Sequence, residues 1–295
     1  MSDFILSCCS AVDLTKEQMK KRNISYVPFH FELNGVDYID DLGETVPYPE
    51  FYKRMLDGEM TKTSQVNVEE FVEYFEPFLK EGKEVLHLTL SSGLSGTLNS
   101  ALLAKELLLE KYPEAKLYIV DSLAASGGYG MLMDALADLR DEGKSIEEVY
   151  EFAEAHKKEL HHWFFSSDLT FFIRGGRVSK TAGFIGSMLG ICPLLNVDHM
   201  GRLIVREKVR SKAKVIHRIV DVMEAHVRDG RDYNGKCFMT HSDCYEDAKA
   251  VADLIKERFP KLDGDVVINY VGNLIGSHTG PGTVTLFFWG DERVD

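Results

Sequence analysis

Apolar and polar positions alternate along this chain in two periods, and the switches between them mark out its elements. Phe4 to Ser7 is a short apolar run that reads as a strand, followed by Cys8 to Leu14 and a helix carrying Thr15-Lys16-Glu17. Ile24 to Leu33 reads as a second strand, and Asn34-Gly35 as a hairpin leading into Val36-Asp37-Tyr38. Pro47 to Leu56 spaces Phe51, Tyr52 and Met55 for one helical face, and Val68 to Leu79 is amphipathic with Asn67 placed to cap it. Thr61 to Asn67, between those helices, reads as a polar loop. Val85 to Leu90 is a buried strand, Ala101 to Lys111 a helix, and Lys116 to Val120 another strand. Ala124 to Gly130 enters a helix through about Asp141, and Lys144 to Lys158 forms the last helix of this half. Strand and helix in turn imply a mostly parallel sheet with helices on its faces.

At His161 the rhythm changes. His161 to Phe165 begins a strand, Thr181 to Leu189 reads as a helix rich in small residues, and Ile191 to Val197 as a strand. His199 to Arg202 is its turn and Leu203 to Val209 its partner. Helices over Lys212 to Val227 and Glu246 to Arg258 then alternate with strands over Cys237 to His241 and Val266 to Tyr270. Val284 to Trp289 is the final strand. The expected fold is α/β in two α/β domains, residues 1–160 with a mostly parallel sheet and flanking helices, and residues 161–295 with a mixed sheet and helices. A ligand site is expected between them.

The length of 295 residues suits two such domains. A net charge of −13 argues against nucleic acid or an anionic membrane surface as partner. No apolar run approaches the roughly 20 residues of a membrane span, so no integral membrane association is expected. The start, Met1-Ser2-Asp3-Phe4, lacks the basic region of a signal peptide. Five cysteines, an odd number, make no disulfide framework, and a reducing cytoplasm is the expected location.

Five stretches carry candidate chemistry. The loop Ser91 to Ser100 joins a strand to a helix through glycines and hydroxyls, a means of holding an anion at a helix N-terminus or simply a capped turn. Thr63-Ser64-Gln65 lies one helix and one strand earlier, and in a parallel sheet the two loops would open on one edge. Asp121-Ser122 ends the next strand. Arg174-Gly175-Gly176-Arg177 is either a solvated basic loop or a pair of forks for carboxylate or phosphate. His278-Thr279 sits in the glycine- and proline-rich turn Gly272 to Thr283, where a histidine able to change charge near neutral pH suits function.

Other chemistries are excluded by pattern. Gly93-Leu94-Ser95-Gly96-Thr97 is no nucleophile elbow, and no Walker loop occurs. Gly128-x-Gly130 is too short for a dinucleotide fingerprint, and small residues there let a helix approach the sheet. His161 and His162 point to opposite faces of a strand, and Cys237 and His241 lie too far apart along theirs, so no metal is expected. What remains suits a binding protein in which a polar cluster fixes an anionic head and apolar side chains enclose a tail. The rival is an enzyme for a small anionic metabolite, using Ser92 or His278.

The order and spacing of Thr63-Ser64-Gln65, Ser91 to Thr97, Asp121-Ser122, Arg174 to Arg177 and His278 to Gly282 resemble the DegV family over essentially the whole chain. The resemblance implies a non-enzymatic carrier, the fatty-acid-binding subunit of a bacterial fatty acid kinase. It would hold one long-chain fatty acid, need no cofactor, and present the carboxylate to a separate kinase subunit that makes the acyl phosphate for phospholipid synthesis. Thr63, Ser92 and His278 would meet the carboxylate, with Ser64, Ser95 and Thr279 in the neighbouring network. Arg174 and Arg177 would face the mouth and the kinase. Two departures stand out. Cys9-Ser10 occupies the place of an Asp-Ser pair before Asp13-Leu14, and Val66 replaces the proline after Thr-Ser-Gln.

Overall fold

Three sheets organise the chain in the computed structural model, which describes residues 4–179 and 190–294. The first is parallel. Its order is β2 (Ile24–Val27), β1 (Ile5–Cys9), β6 (Val85–Thr89), β7 (Leu117–Asp121), all neighbours running the same way. Every residue of β6 is buried, as a central parallel strand covered on both faces must be. The helices that cover it are α1 (Lys16–Lys21), α3 (Val68–Lys80), α4 (Thr97–Lys111), α5 (Ser126–Asp141) and α6 (Ile146–His156). Capping boxes start α1, α3 and α6 at Thr15, Asn67 and Ser145, and the expected cap at Asn67 is among them.

The second sheet is small and antiparallel, with β3 (His30–Leu33) between β4 (Val36–Ile39) and β5 (Thr61–Ser64). Two expectations change here. Ile24 to Leu33 is not one strand, because Pro28 has no N–H to continue a ladder and the chain crosses there from one sheet to the other. Thr61 to Ser64 is not a loop. It has no apolar face to announce it, and it is strand through pairing alone, Thr63 opposite Phe31. Helix α2 (Tyr48–Leu56) buries Phe51, Tyr52 and Met55 against this sheet, the face its spacing predicted.

The third sheet has six strands in the order β10 (Leu203–Arg210), β9 (Ile191–Val197), β8 (Leu160–Ser166), β13 (Thr283–Trp289), β11 (Phe238–His241), β12 (Val267–Tyr270). Only the β11–β12 pairing is parallel, so the sheet is mixed as expected. One face, with Phe165, Leu194, Leu286 and Phe288, packs under α8 (Lys212–His226) and α9 (Tyr245–Arg258). The other face, with His162, Phe164, Thr285 and Phe287, turns toward the first half of the chain.

Two short helices depart from expectation. Thr170–Arg174 forms α7, and Asn273–Thr279, expected as a turn, forms α10. Ser277 Oγ donates to the Asn273 carbonyl within α10, and Gly280, at a φ of +68°, ends it. The helix expected over Thr181 to Leu189 lies outside the described residues.

The two halves meet tightly. Ser91 Oγ donates to the Gly201 carbonyl at 2.8 Å, and a Cβ at Gly93 would sit 2.7 Å from the carbonyl oxygens of Met200 and Gly201. Beside this contact Arg293, 3 % exposed, donates to four carbonyls, those of Leu123 and Lys157 in one half and Val197 and Asp198 in the other.

Candidate functional site

Between the parallel sheet, the small sheet and the free face of the six-stranded sheet lies a cavity of about 400 Å³. That falls in the range of about 300–1,000 Å³ typical of small-molecule sites. Its wall is largely apolar. Phe164 and Phe287 come from the six-stranded sheet, Phe29 and Leu90 from the first half, Phe172 from α7 and Leu274 from α10. Strand alternation explains the sheet's share. His162 and Phe164 on β8, and Thr283, Thr285 and Phe287 on β13, all point to one side.

The polar residues gather around His278. Its Nε2 lies 2.8 Å from Thr63 Oγ1, joining α10 to β5 across the two halves. Burial, with the neighbouring charge of Arg177 second, pushes the His278 pKa down to about 4. The expected near-neutral titration is therefore corrected: the imidazole stays neutral at physiological pH. Gly175 makes its seat, since a Cβ there would collide with His278 Nδ1. Ser64, Gln65, Ser95 and Thr279 line the same part of the wall. Gln65 Nε2 donates to Ser100 Oγ at 3.1 Å, and Gly96 gives the Gln65 amide room to pass.

The two arginines of the basic loop separate. Arg177 lines the cavity half-buried, its Nε donating to the Leu94 carbonyl at 3.3 Å. Burial lowers its pKa, and no carboxylate among the described residues pairs with it. Arg174 stays exposed, over the Phe171 ring and 3.3 Å from Met60 Sδ, as a residue outside the cavity.

Ser92 does not join this cluster. It is exposed, its N–H donates to Asp121 Oδ1, and it is absent from the cavity wall. The turn is shorter than expected, since α4 starts at Thr97 and not Ala101, and Ser95 just before it reaches the wall. The two hydroxyl loops do not share an edge of one parallel sheet either, because Thr63 belongs to the antiparallel one. They converge across the cavity instead.

Both departures from the family pattern are absorbed by burial. Cys9 is fully buried, its Sγ 3.6 Å from His87 Nε2, away from the cavity. Val66 is fully buried in a cluster with Phe71 and Phe75, which anchors the loop without proline.

Sequence reasoning passed over Asp13, Ser126, His162 and Thr285. Asp13 accepts from the Gly272 N–H at 3.0 Å and from Ser126 Oγ, tying the starts of α10 and α5 together. Burial pushes its pKa up to about 7 against those hydrogen bonds. Ser126 Oγ also meets Thr240 Oγ1, which meets Thr285 Oγ1 at 2.6 Å. Strand alternation would have found His162 and Thr285. Nothing local marks Ser126, held at a φ of 55°.

One set of donors suited to a metal occurs among the described residues, His161, His226 and Asp291, on the opposite face of the six-stranded sheet. Its members are engaged with one another. His161 Nε2 bonds the Asp291 carbonyl and carboxylate, and Trp163 Nε1 donates to His161 Nδ1. No described helix is long and apolar enough to cross a membrane.

A mixed α/β chain with an apolar cavity between its halves and a polar cluster at one part of the wall has the layout of a small-molecule site. The DegV family model, described as an uncharacterised protein family, matches residues 9–291, and the chain belongs to that family. A DegV domain-containing protein of Clostridium perfringens is 40% identical over 293 residues, covering 99% of each chain. Among solved structures, a fatty-acid-binding DegV family protein of Thermus thermophilus superposes with a TM-score of 0.86 at 26% identity, covering 98% of this chain and 99% of that one. The Fatty Acid Kinase B3 protein of Streptococcus pneumoniae, loaded with linoleic acid, shares the fold with a TM-score of 0.84 at 24% identity, covering 99% and 100%.

Proposed function

We propose that this chain carries a long-chain fatty acid in the cavity and presents its carboxylate to a separate kinase subunit in the cytoplasm. The observation that carries the reading is the pairing of an apolar wall with the Thr63–His278 cluster and Arg177, which no carboxylate among the described residues neutralises. A carboxylate buried beside apolar surface must be hydrogen-bonded or neutralised. Thr63 and Ser95 offer hydroxyl donors, and Arg177 offers a charge that no described carboxylate takes. With Nε2 protonated, His278 donates to Thr63 and frees the Thr63 hydroxyl proton for the ligand. Each methylene buried in the wall adds about 0.8 kcal/mol, so the tail holds the ligand and the polar cluster orients it. Arg174, exposed over Phe171, is the side chain we assign to meeting the kinase.

The rival reading, an enzyme using Ser92 and His278, needs those side chains within hydrogen-bond reach. Ser92 is exposed on a loop bound to Asp121, and His278 bonds Thr63. Denaturing extraction followed by mass spectrometry tests the carrier reading. A stoichiometric fatty acid in the organic phase is the expected result, and Thr63→Val should lower that content about tenfold. A protein that neither contains nor takes up fatty acid would remove the reading.

A further inference from the structure

Two buried polar residues stand in strained backbone at the start of α10 and bond each other. Asp13, in the turn after β1, has a φ of 48°, and Ser126, the first residue of α5, a φ of 55°. Both lie in the left-handed region, which is unfavourable for a residue with a side chain and persists where the surroundings over-determine it. Ser126 Oγ donates to Asp13 Oδ2, and the Gly272 N–H donates to Asp13 Oδ1 at 3.0 Å. Asn269 Nδ2 donates to the Asp13 carbonyl at 3.0 Å. Gly272 makes the contact close, since a Cβ there would lie 2.8 Å from Asp13 Oδ1.

Gly272 caps the N-terminus of α10, and His278 stands six residues further on, about 9 Å along the helix at 1.5 Å per residue. Tyr52 Oη donates to the Val271 carbonyl and Asn273 Nδ2 to the Val46 carbonyl, so one side of this segment rests on α2 and the loop before it. Asp13 adds the tie to the parallel sheet. A helix of seven residues moves as a unit, so freeing its start turns its far end, where His278 Nε2 lies 2.8 Å from Thr63 Oγ1. Asp13 itself is absent from the cavity wall.

We propose that Asp13 is a positioning residue for the fatty-acid head group, acting through α10 to hold His278 against Thr63 without touching the ligand. The inference rests on the carrier reading and extends its binding machinery by one residue. It also accounts for a carboxyl kept out of water and for strain at two bonded positions, which together fix the imidazole of the head-group cluster.

Displacement binding of stearic acid to ligand-stripped protein tests it in a double-mutant cycle. Asp13→Gly removes the carboxyl and suits the left-handed backbone. It and Thr63→Val should each weaken binding about tenfold, and the double variant should lose no more than about tenfold, because both act on one bond. Asp13→Asn should recover most of the affinity, as its Oδ1 accepts from the Gly272 N–H and its amide donates to Ser126 Oγ. By NMR of ligand-free protein, the His278 imidazole should titrate at about 4 in the unmutated chain and move toward about 6.5 in Asp13→Gly. If a thermal melt shows that Asp13→Gly does not fold, Ser126→Gly, also at a left-handed position, runs the same cycle. Unchanged affinity in Asp13→Gly, or a His278 titration that stays at about 4 there, overturns the inference and leaves the carrier reading standing. So does a loss of about a hundredfold in the double variant, or an Asp13→Asn affinity no better than that of Asp13→Gly. Failure of the unmutated protein to bind stearic acid would remove the carrier reading and this inference together.

Discussion

His278 owes its position to a residue with no side chain. Gly175, the second member of the basic loop, lies against the imidazole so closely that a methyl group would collide with Nδ1. Its backbone is right-handed helical, with φ −69° and ψ −10°, so alanine would suit the backbone and only the contact would object. Gly175→Ala should therefore push the ring away from Thr63 while leaving the fold intact. The expected outcome is fatty-acid affinity about tenfold weaker with a nearly unchanged unfolding temperature, read by displacement binding and a thermal melt. Unchanged affinity would mean that the Thr63–His278 bond does not serve the ligand. The same close fit explains why Arg-Gly-Gly-Arg could be singled out from the sequence but not divided. A string of letters shows two equivalent arginines. Only the turn of α7 sends one into the cavity wall and the other out over Phe171.

At the scale of elements, what was legible depended on whether an element announces itself in its own residues. The amphipathic helices α2 and α3 and the buried strand β6 did, since burial on a defined face imposes a period. The polar strand β5 and the short helix α10 did not, because each is held by partners distant in sequence. β5 is held by pairing with β3, and α10 by Asp13 at its start. Those two elements carry Thr63 and His278. Both residues were read as motif members while the structures that aim them were missed, and of the serines in the following turn Ser95 lines the cavity while Ser92 is exposed. The glycines opening α5 were read correctly as a close approach. A Cβ at Gly127 would sit 2.8 Å from Thr240 and Phe287, and one at Gly128 would strike His162 and Phe287. Alanine would improve helix propensity by about 1 kcal/mol, yet overpacking costs about 1–3 kcal/mol. Gly128→Ala should accordingly destabilise the protein on balance. Urea unfolding checks this, and a midpoint raised above that of the unmutated protein would show that α5 can withdraw from the sheet freely.

Across the whole molecule, burial sets the response to acid. It holds five histidines neutral, pushing His87 down to about 3, His161, His241 and His278 to about 4, and His162 well below its ordinary value. In the unfolded chain each takes a proton near its ordinary value of about 6.5. Between about 6.5 and 4 the unfolded chain thus binds protons that the folded one refuses, and stability falls as pH falls. Asp13 and Asp40 act the other way. Burial raises them to about 7 and about 6, so the folded protein keeps protons that unfolded carboxyls have lost by about pH 4. Their contribution is present at low pH and is lost as pH rises through those values. Three raised carboxyls, with Asp243 the third, oppose five depressed imidazoles, and the imidazoles prevail on the acid side. Above about 6.5 the five unfolded imidazoles are still losing protons, and together they outweigh the last ionisation of Asp13. The unfolding temperature should therefore fall clearly from about pH 7 toward about 4.5 and level off between about 7 and 8. Calorimetry at constant ionic strength on ligand-stripped protein measures it. An unfolding temperature that held level or rose between about 6.5 and 4.5 would show that these imidazoles reach solvent in the folded state, and that the cavity wall around His162 and His278 is open to water.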